Sequence, residues 1–199
     1  AVAVALTWNL GADYARSGDP ERALALFGKA LGQYRARGDS ENIAILLRNM
    51  GVTHGQVGKF DEAGKELDES IRVAESAKLA IQAARAEEAQ ADVLAQQRRY
   101  KEAIPLYERA IRRLDPSRDG PTLAESYARF GDLLHKAQSH DAAEEAYTKA
   151  AEGYEKLGMV GQRNRQVGRI ADIYVSSKRS TKAADILLAL AKGQRESGD

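Results

Sequence analysis

A forty-residue self-similarity runs the length of this 199-residue chain without an insertion. Ala23, Ala63, Ala103, Ala143 and Ala183 form one column. Gly11, Gly51, Ala91, Gly131 and Ala171 form a second, and Tyr14, His54, Leu94, Leu134 and Tyr174 a third. Phe27, Leu67, Tyr107, Tyr147 and Leu187 follow, then Ala30, Ser70, Ala110, Ala150 and Leu190. Alanine is common here, so a single alanine column carries little weight. Five columns in one frame carry a great deal, because self-similarity at a fixed period of this length marks stacked repeat units.

Each column has a helical reading. Thr7, Leu10, Gly11 and Tyr14 fall on one face of a helix, and Ala23, Phe27, Ala30, Leu31 and Tyr34 make a second apolar stripe. Between stripes lie breakers: "SGD" at 17–19, "VGK" at 57–59, "QSH" at 138–140. Each period is therefore helix, tight turn, helix. Small residues in one helix facing alanine in the other let the two backbones approach closely. One pair cannot bury both stripes; stacked pairs can. The spacing predicts an all-α solenoid of five antiparallel helix pairs. Its ten helices span 2–17, 20–36, 40–57, 60–77, 80–97, 100–114, 121–137, 140–157, 160–177 and 180–196. The repeats run 1–38, 39–78, 79–118, 119–158 and 159–199, as one domain. Pro20 and Pro121 sit at predicted helix starts and Pro116 after a helix end. Pro105 is placed about one turn into its helix, where a missing N–H costs little.

Composition narrows the function. The chain has no cysteine, so disulfides and thiolate metal sites are excluded, which fits a reducing, cytoplasmic setting. A formal net charge of +1 asks for neither nucleic acid nor a membrane surface. No apolar run approaches the ~18 residues of a membrane span. The opening "AVAVAL" is too short for a signal peptide and lacks its basic flank. It is read as the inside of a helix belonging to a longer protein. There is no glycine-rich phosphate loop, no His-Glu-x-x-His and no nucleophile–base set, so no enzyme, cofactor or metal is expected. Of the histidines, His54 is read as a core substitution, His135 as a ligand contact and His140 as a turn residue. Arg98, Arg99 and Lys101 cluster beside Tyr100, but RNA binding would need more stacking aromatics.

The residues "TWNLGADY" and "ALALFGKA" in the first repeat, and "YARFGDLL" and "AEEAYTKA" in the fourth, resemble the tetratricopeptide repeat, over essentially the whole chain. The usual period is about 34 residues, and the longer one here is similar to the long-repeat branch. That branch includes LGN/Pins-type polarity adaptors, kinesin light chains and bacterial peptide-sensing regulators. His54, Ala91, Ala171 and Leu190 depart from the pattern. The resemblance implies a right-handed superhelix with a concave groove lined by the first helix of each pair. Inward columns would be Ala12, Val52, Asp92, Asp132, Asp172, then Asn9, Asn49, Ala89, Arg129, Arg169, then Trp8, Arg48, Glu88, Ala128, Gly168. The expected peptide-binding residues are Trp8, Asn9, Arg48, Asn49, Asp92, Arg129, Asp132, His135, Arg165, Arg169 and Asp172. Arg129 with Asp132, and Arg169 with Asp172, are spaced to pair on one helix face. The family's two-carboxylate clamp is not expected, because Glu88 and Asp92 stand where lysine and asparagine would be needed.

Net charge by repeat is +2, −3, +2, −4 and +4, an alternation that favours register and solubility. The leading functional expectation is a non-catalytic scaffold binding an extended or helical segment of a partner protein. The alternatives are a ligand-sensing domain of a bacterial regulator and a self-associating array. The last is suggested by Ile186, Leu187, Leu188 and Leu190, which are more apolar than a capping helix should be.

Overall fold

The structure is a computed structural model that describes residues 2–177, 179 and 181–188. Ten helical segments and no strand occur among the described residues. They are α1 (Val2–Arg16), α2 (Pro20–Arg37), α3 (Ser40–Gln56), α4 (Phe60–Ser76), α5 (Ala80–Gln96), α6 (Tyr100–Arg113), α7 (Gly120–Lys136), α8 (His140–Lys156), α9 (Val160–Ser176) and α10 (181–188). The chain divides into two compact units, Ala1–Arg113 with α1 to α6 and Leu114–Asp199 with the rest.

A twenty-residue backbone rhythm underlies the forty-residue sequence period. Gly18, Gly38, Gly58, Lys78, Arg98, Gln138 and Gly158 all adopt positive φ, between 57° and 80°. Each reverses the chain after a helix. The next N–H then closes onto the carbonyl five residues back: Asp39 to Tyr34, Lys59 to His54, Leu79 to Ala74, Arg99 to Leu94, Ser139 to Leu134 and Met159 to Tyr154. This is the Schellman closure, which satisfies the last carbonyls of a helix. Glycine reaches that conformation freely, whereas Lys78, Arg98 and Gln138 reach it against a steric cost. The Asp19 and Asp39 carboxylates accept from the backbone N–H of Arg22 and Asn42 at the next helix starts.

The repeat columns are the core. Ala23, Ala63, Ala103 and Ala143 are wholly buried, as are Ala30, Ser70, Ala110 and Ala150. Ser70 fits because its hydroxyl donates to the Ala44 carbonyl at 2.7 Å. Phe27, Leu67, Tyr107 and Tyr147 are buried beside them. A Cβ on Gly51 would lie 2.6 Å from Leu67 Cγ, and one on Gly131 would lie 2.5 Å from Tyr147 Cε1. The small residue is thus what lets each pair close.

Two readings are corrected. Pro105 is the sixth residue of α6, beyond the first turn, and so removes the bond to the Lys101 carbonyl. It is tolerated because Pro105 and Lys101 are both exposed, so that carbonyl is not left in an apolar interior. His54 is not a plain core residue: its Nδ1 sits 2.7 Å from Glu66 Oε2 on α4, and both side chains are largely buried. Burial is the main reason that Glu66 is raised above the ordinary glutamate value of 4.5, with the His54 hydrogen bond opposing it. The folded state therefore holds this proton more tightly than the unfolded chain. The resulting stabilisation is present below pH 4.5 and lost as pH rises through the raised value. Glu66→Gln cannot ionise, so its stability relative to the wild type should improve across that window. Denaturation series at several pH values that show a constant difference would contradict this.

Candidate binding faces

The first helices of unit 1 carry the expected residues in unequal states. Trp8 packs against the core and meets Tyr34 edge-on, ring centroids 6.4 Å apart at 89°. It is a packing residue first. Asn9 is exposed, while Arg48 and Asn49 are half-buried, Arg48 Nη2 donating to Asn49 Oδ1 at 3.2 Å. Asp92 accepts the Tyr107 hydroxyl at 2.7 Å.

Unit 2 repeats that last arrangement. Tyr147 O–H donates to Asp132 Oδ1 at 2.7 Å. In both cases the tyrosine comes from the second helix of the pair, fifteen residues on, and its hydroxyl fixes the aspartate on the first. Burial and the Asp132 carboxylate together push the Tyr147 phenol upward. Arg169 then reaches back from α9: its Nη1 is 2.6 Å from Asp132 Oδ1 and its guanidinium lies over the Tyr147 ring at 5.5 Å. Spacing along α9 would instead pair Arg169 with Asp172. It crosses to the preceding pair because the tyrosine-held carboxylate is already in place, whereas Asp172 is exposed. Arg165, one turn earlier on α9, is exposed and makes no ion pair among the described residues. Tyr154 feels the charges of both Arg165 and Arg169. Arg129 is half-buried on α7.

His135 lies apart from this cluster. It shares its register with Ala15 and Gly55, and its ring faces His140 with centroids 5.5 Å apart. The Nδ1 atoms of both rings are buried without a hydrogen-bond partner. No group of three or more potential metal ligands occurs among the described residues. Of the self-association residues, Ile186 is half-buried and Leu187 and Leu188 are exposed; Leu190 lies outside the described residues.

A buried ionic cluster in unit 1 escaped the reading of the sequence. Glu87 on α5 is fully buried. It takes Arg109 Nε at 2.5 Å and Arg113 Nε and Nη2 at 2.9 and 2.7 Å, and Arg113 also holds Glu75. The Glu87 hydrogen bond is the largest cause of a raised Arg113 pKa. The available signal was a glutamate in the column of Leu47 and Tyr127 with two arginines four apart on the next helix.

No described helix is long and apolar enough to cross a membrane. A search of curated protein sequences finds no match. Solved structures similar to the chain include BtubC (BKLC) from P. vanneervenii, at 18% identity and TM-score 0.76, covering 95% of this chain and 78% of that one. Another is a putative kinesin light chain from Podosopora anserina with nearly identical TPR-like repeats, at 13% identity and TM-score 0.76, covering 98% and 96%. A third is the Rap protein complexed with competence and sporulation factor, at 15% identity and TM-score 0.73, covering 97% of this chain and 54% of that one. At such identities the likeness speaks for the fold. The tetratricopeptide repeat model matches residues 2–76 and 82–156. With the forty-residue columns buried between paired helices, that match identifies the chain as a member of the tetratricopeptide repeat family.

Proposed function

We propose that the chain is a non-catalytic scaffold that takes extended or helical segments of a partner protein on its first-helix faces, with Asn9 and Asn49 contributing to the contact made by unit 1 and Arg129, Arg165, Arg169 and Asp172 to the contact made by unit 2. The observation that carries this reading is the Asp132–Tyr147–Arg169 cluster, with Arg165 beside it. A half-exposed carboxylate and guanidinium are held in place before any ligand arrives, so little side-chain entropy remains to be lost on binding. Asn9 and Asn49 supply primary amides, which both donate to and accept from a peptide backbone.

Affinity capture with the intact chain, followed by titration of the captured partner, tests this. Arg165→Glu breaks no ion pair among the described residues, so the helical circular dichroism should be unchanged. Affinity should fall by about tenfold or more, in line with reversal of one interfacial charge. Unchanged affinity would move the contact to another face. A second reading, a ligand-sensing regulatory domain, is supported by the likeness to the Rap protein solved with competence and sporulation factor. It predicts that a short peptide, rather than a folded partner, suffices for binding.

A further inference from the structure

The last turn of α7 and the first residue of α8 carry two histidines, His135 and His140, on either side of the turn at 137–139. Their rings face each other at 53°, with centroids 5.5 Å apart. Each ring has its Nδ1 atom buried with no hydrogen-bond partner among the described residues. The nearest polar groups in the chain are committed elsewhere. The backbone N–H and the side-chain amide of Gln138 both donate to the His135 carbonyl, and Asp141 is held by Arg179 at 3.5 Å. Buried nitrogens are nearly always partnered, and an orphan points to a water or an ion. Two orphans on facing rings point to one particle shared by both.

Packing does not ask for this pair. The same two registers hold Ala15 and Pro20, Gly55 and Phe60, and Ala95 and Tyr100 in the earlier repeats. Each of those turns closes on one small residue and one ring. A bare histidine contact would meet the same packing need while leaving both Nδ1 atoms desolvated and unpaired, which is unfavourable.

We infer that His135 and His140 form a two-histidine site for a divalent transition ion of the Zn²⁺, Ni²⁺ or Cu²⁺ class, bound through the two Nδ1 atoms. Zinc–imidazole bonds are about 2.0–2.1 Å long. An ion in the ring plane then lies roughly 3.2 Å from each ring centroid, and two rings on one tetrahedral ion have centroids about 5.2 Å apart. The separation of 5.5 Å matches. Imidazole suits Zn²⁺, Cu²⁺ and Ni²⁺, whereas Mg²⁺ and Ca²⁺ select carboxylate, carbonyl and water. Two protein ligands leave the remaining positions to water, so binding is weaker than at a closed four-ligand site. The end of α7 carries partial negative charge that favours a cation and the start of α8 opposes it, so affinity comes from the two coordinate bonds. The ion ties α7 to α8 across Gln138, which holds a positive φ without being glycine. The inference does not rest on the proposed partner-binding face.

Calorimetric titration of the untagged 199-residue chain with Zn²⁺, and with Ca²⁺ as the control, tests it. Zn²⁺ should bind once per chain and Ca²⁺ should not bind. His135→Ala and His140→Phe reproduce what Ala95 and Phe60 supply in other repeats, so the helical circular dichroism should be unchanged. Each should lower Zn²⁺ affinity by more than about tenfold, since loss of even a supporting group at a metal site costs that much. His54→Gln should leave the affinity as it is, because His54 lies in unit 1 beside Glu66. Long-range ¹H–¹⁵N spectra should show the Nδ1 signals of His135 and His140 both moving with Zn²⁺. A chain that binds no Zn²⁺ overturns the inference and leaves water as the partner of the two nitrogens. Binding that either variant retains in full overturns it, as does an Nδ1 signal of either ring that stays in place.

Discussion

Arg113→Ala should lower the stability of unit 1 by about 3 kcal/mol, because it strips the main partner from a carboxylate with no access to water. Glu87 is fully buried, and Arg113 grips both of its oxygens with two nitrogens while also holding Glu75. Arg109 remains in the variant, but it approaches one oxygen only and half of its side chain is in solvent. Glu87→Leu is the informative companion. Leu47 holds the same register in the second repeat and is buried among α1 and α2 side chains. Glu87→Leu removes the buried charge itself and leaves Arg109 and Arg113, both partly in solvent, with Arg113 still holding Glu75, so it strands no fully buried charge. Chemical denaturation should therefore place Glu87→Leu closer to the wild type than Arg113→Ala. If Arg113→Ala stays within about 0.5 kcal/mol of the wild type, the size of an ordinary surface change, the cluster is not holding the α5–α6 pair.

Gly131→Ala should cost about 1–3 kcal/mol through overpacking. The added methyl would stand 2.5 Å from Tyr147 Cε1 and 2.6 Å from Cδ1. That ring is buried, its hydroxyl is tied to Asp132 and Arg169 lies across its face, so it cannot swing aside cheaply. Ala171 shows that the column accepts a methyl where the facing residue, Leu187, is half exposed. The cost at Gly131 comes from the locked ring. Gly32→Ala is the control: a methyl there would meet nothing within 4 Å, and helix propensity alone should stabilise by about 0.5–1 kcal/mol. Thermal or denaturant unfolding that ranks the two alike would remove the close-approach role assigned to the small column. Since Tyr147 also orients Asp132, Gly131→Ala should further weaken the proposed partner contact on α7 and α9.

Most of the small and aromatic columns read from the sequence are buried in the structure because each depends only on side-chain size at a fixed spacing. Ala23 to Ala143 and Gly11 to Gly131 needed no knowledge of neighbours. The helix ends were legible for the same reason, glycine at 18, 38, 58 and 158 being cheap in the left-handed region. Lys78, Arg98 and Gln138 take the same conformation with no glycine to announce it. Polar pairings were less legible. Arg169 on α9 reaches Asp132 on α7, with all of α8 between them in the chain, and a spacing rule confined to one helix looks for Asp172 instead. Glu87 was invisible as a core residue because its burial depends on two arginines from the following helix. Register alone assigns Trp8 and His135 to the groove, yet the depth of each ring depends on what the adjacent helix offers: Tyr34 for the one, His140 for the other.

The central claim is that recognition belongs to the first helix of each pair, with the second helix serving to hold its charged groups in place. Hydrogen exchange on the intact chain, with and without the captured partner, tests it most directly. The account predicts added protection in α7 and α9, where Asp132, Arg165 and Arg169 sit, with α8 unchanged. Protection confined to α2, α4, α6 and α8 would contradict it.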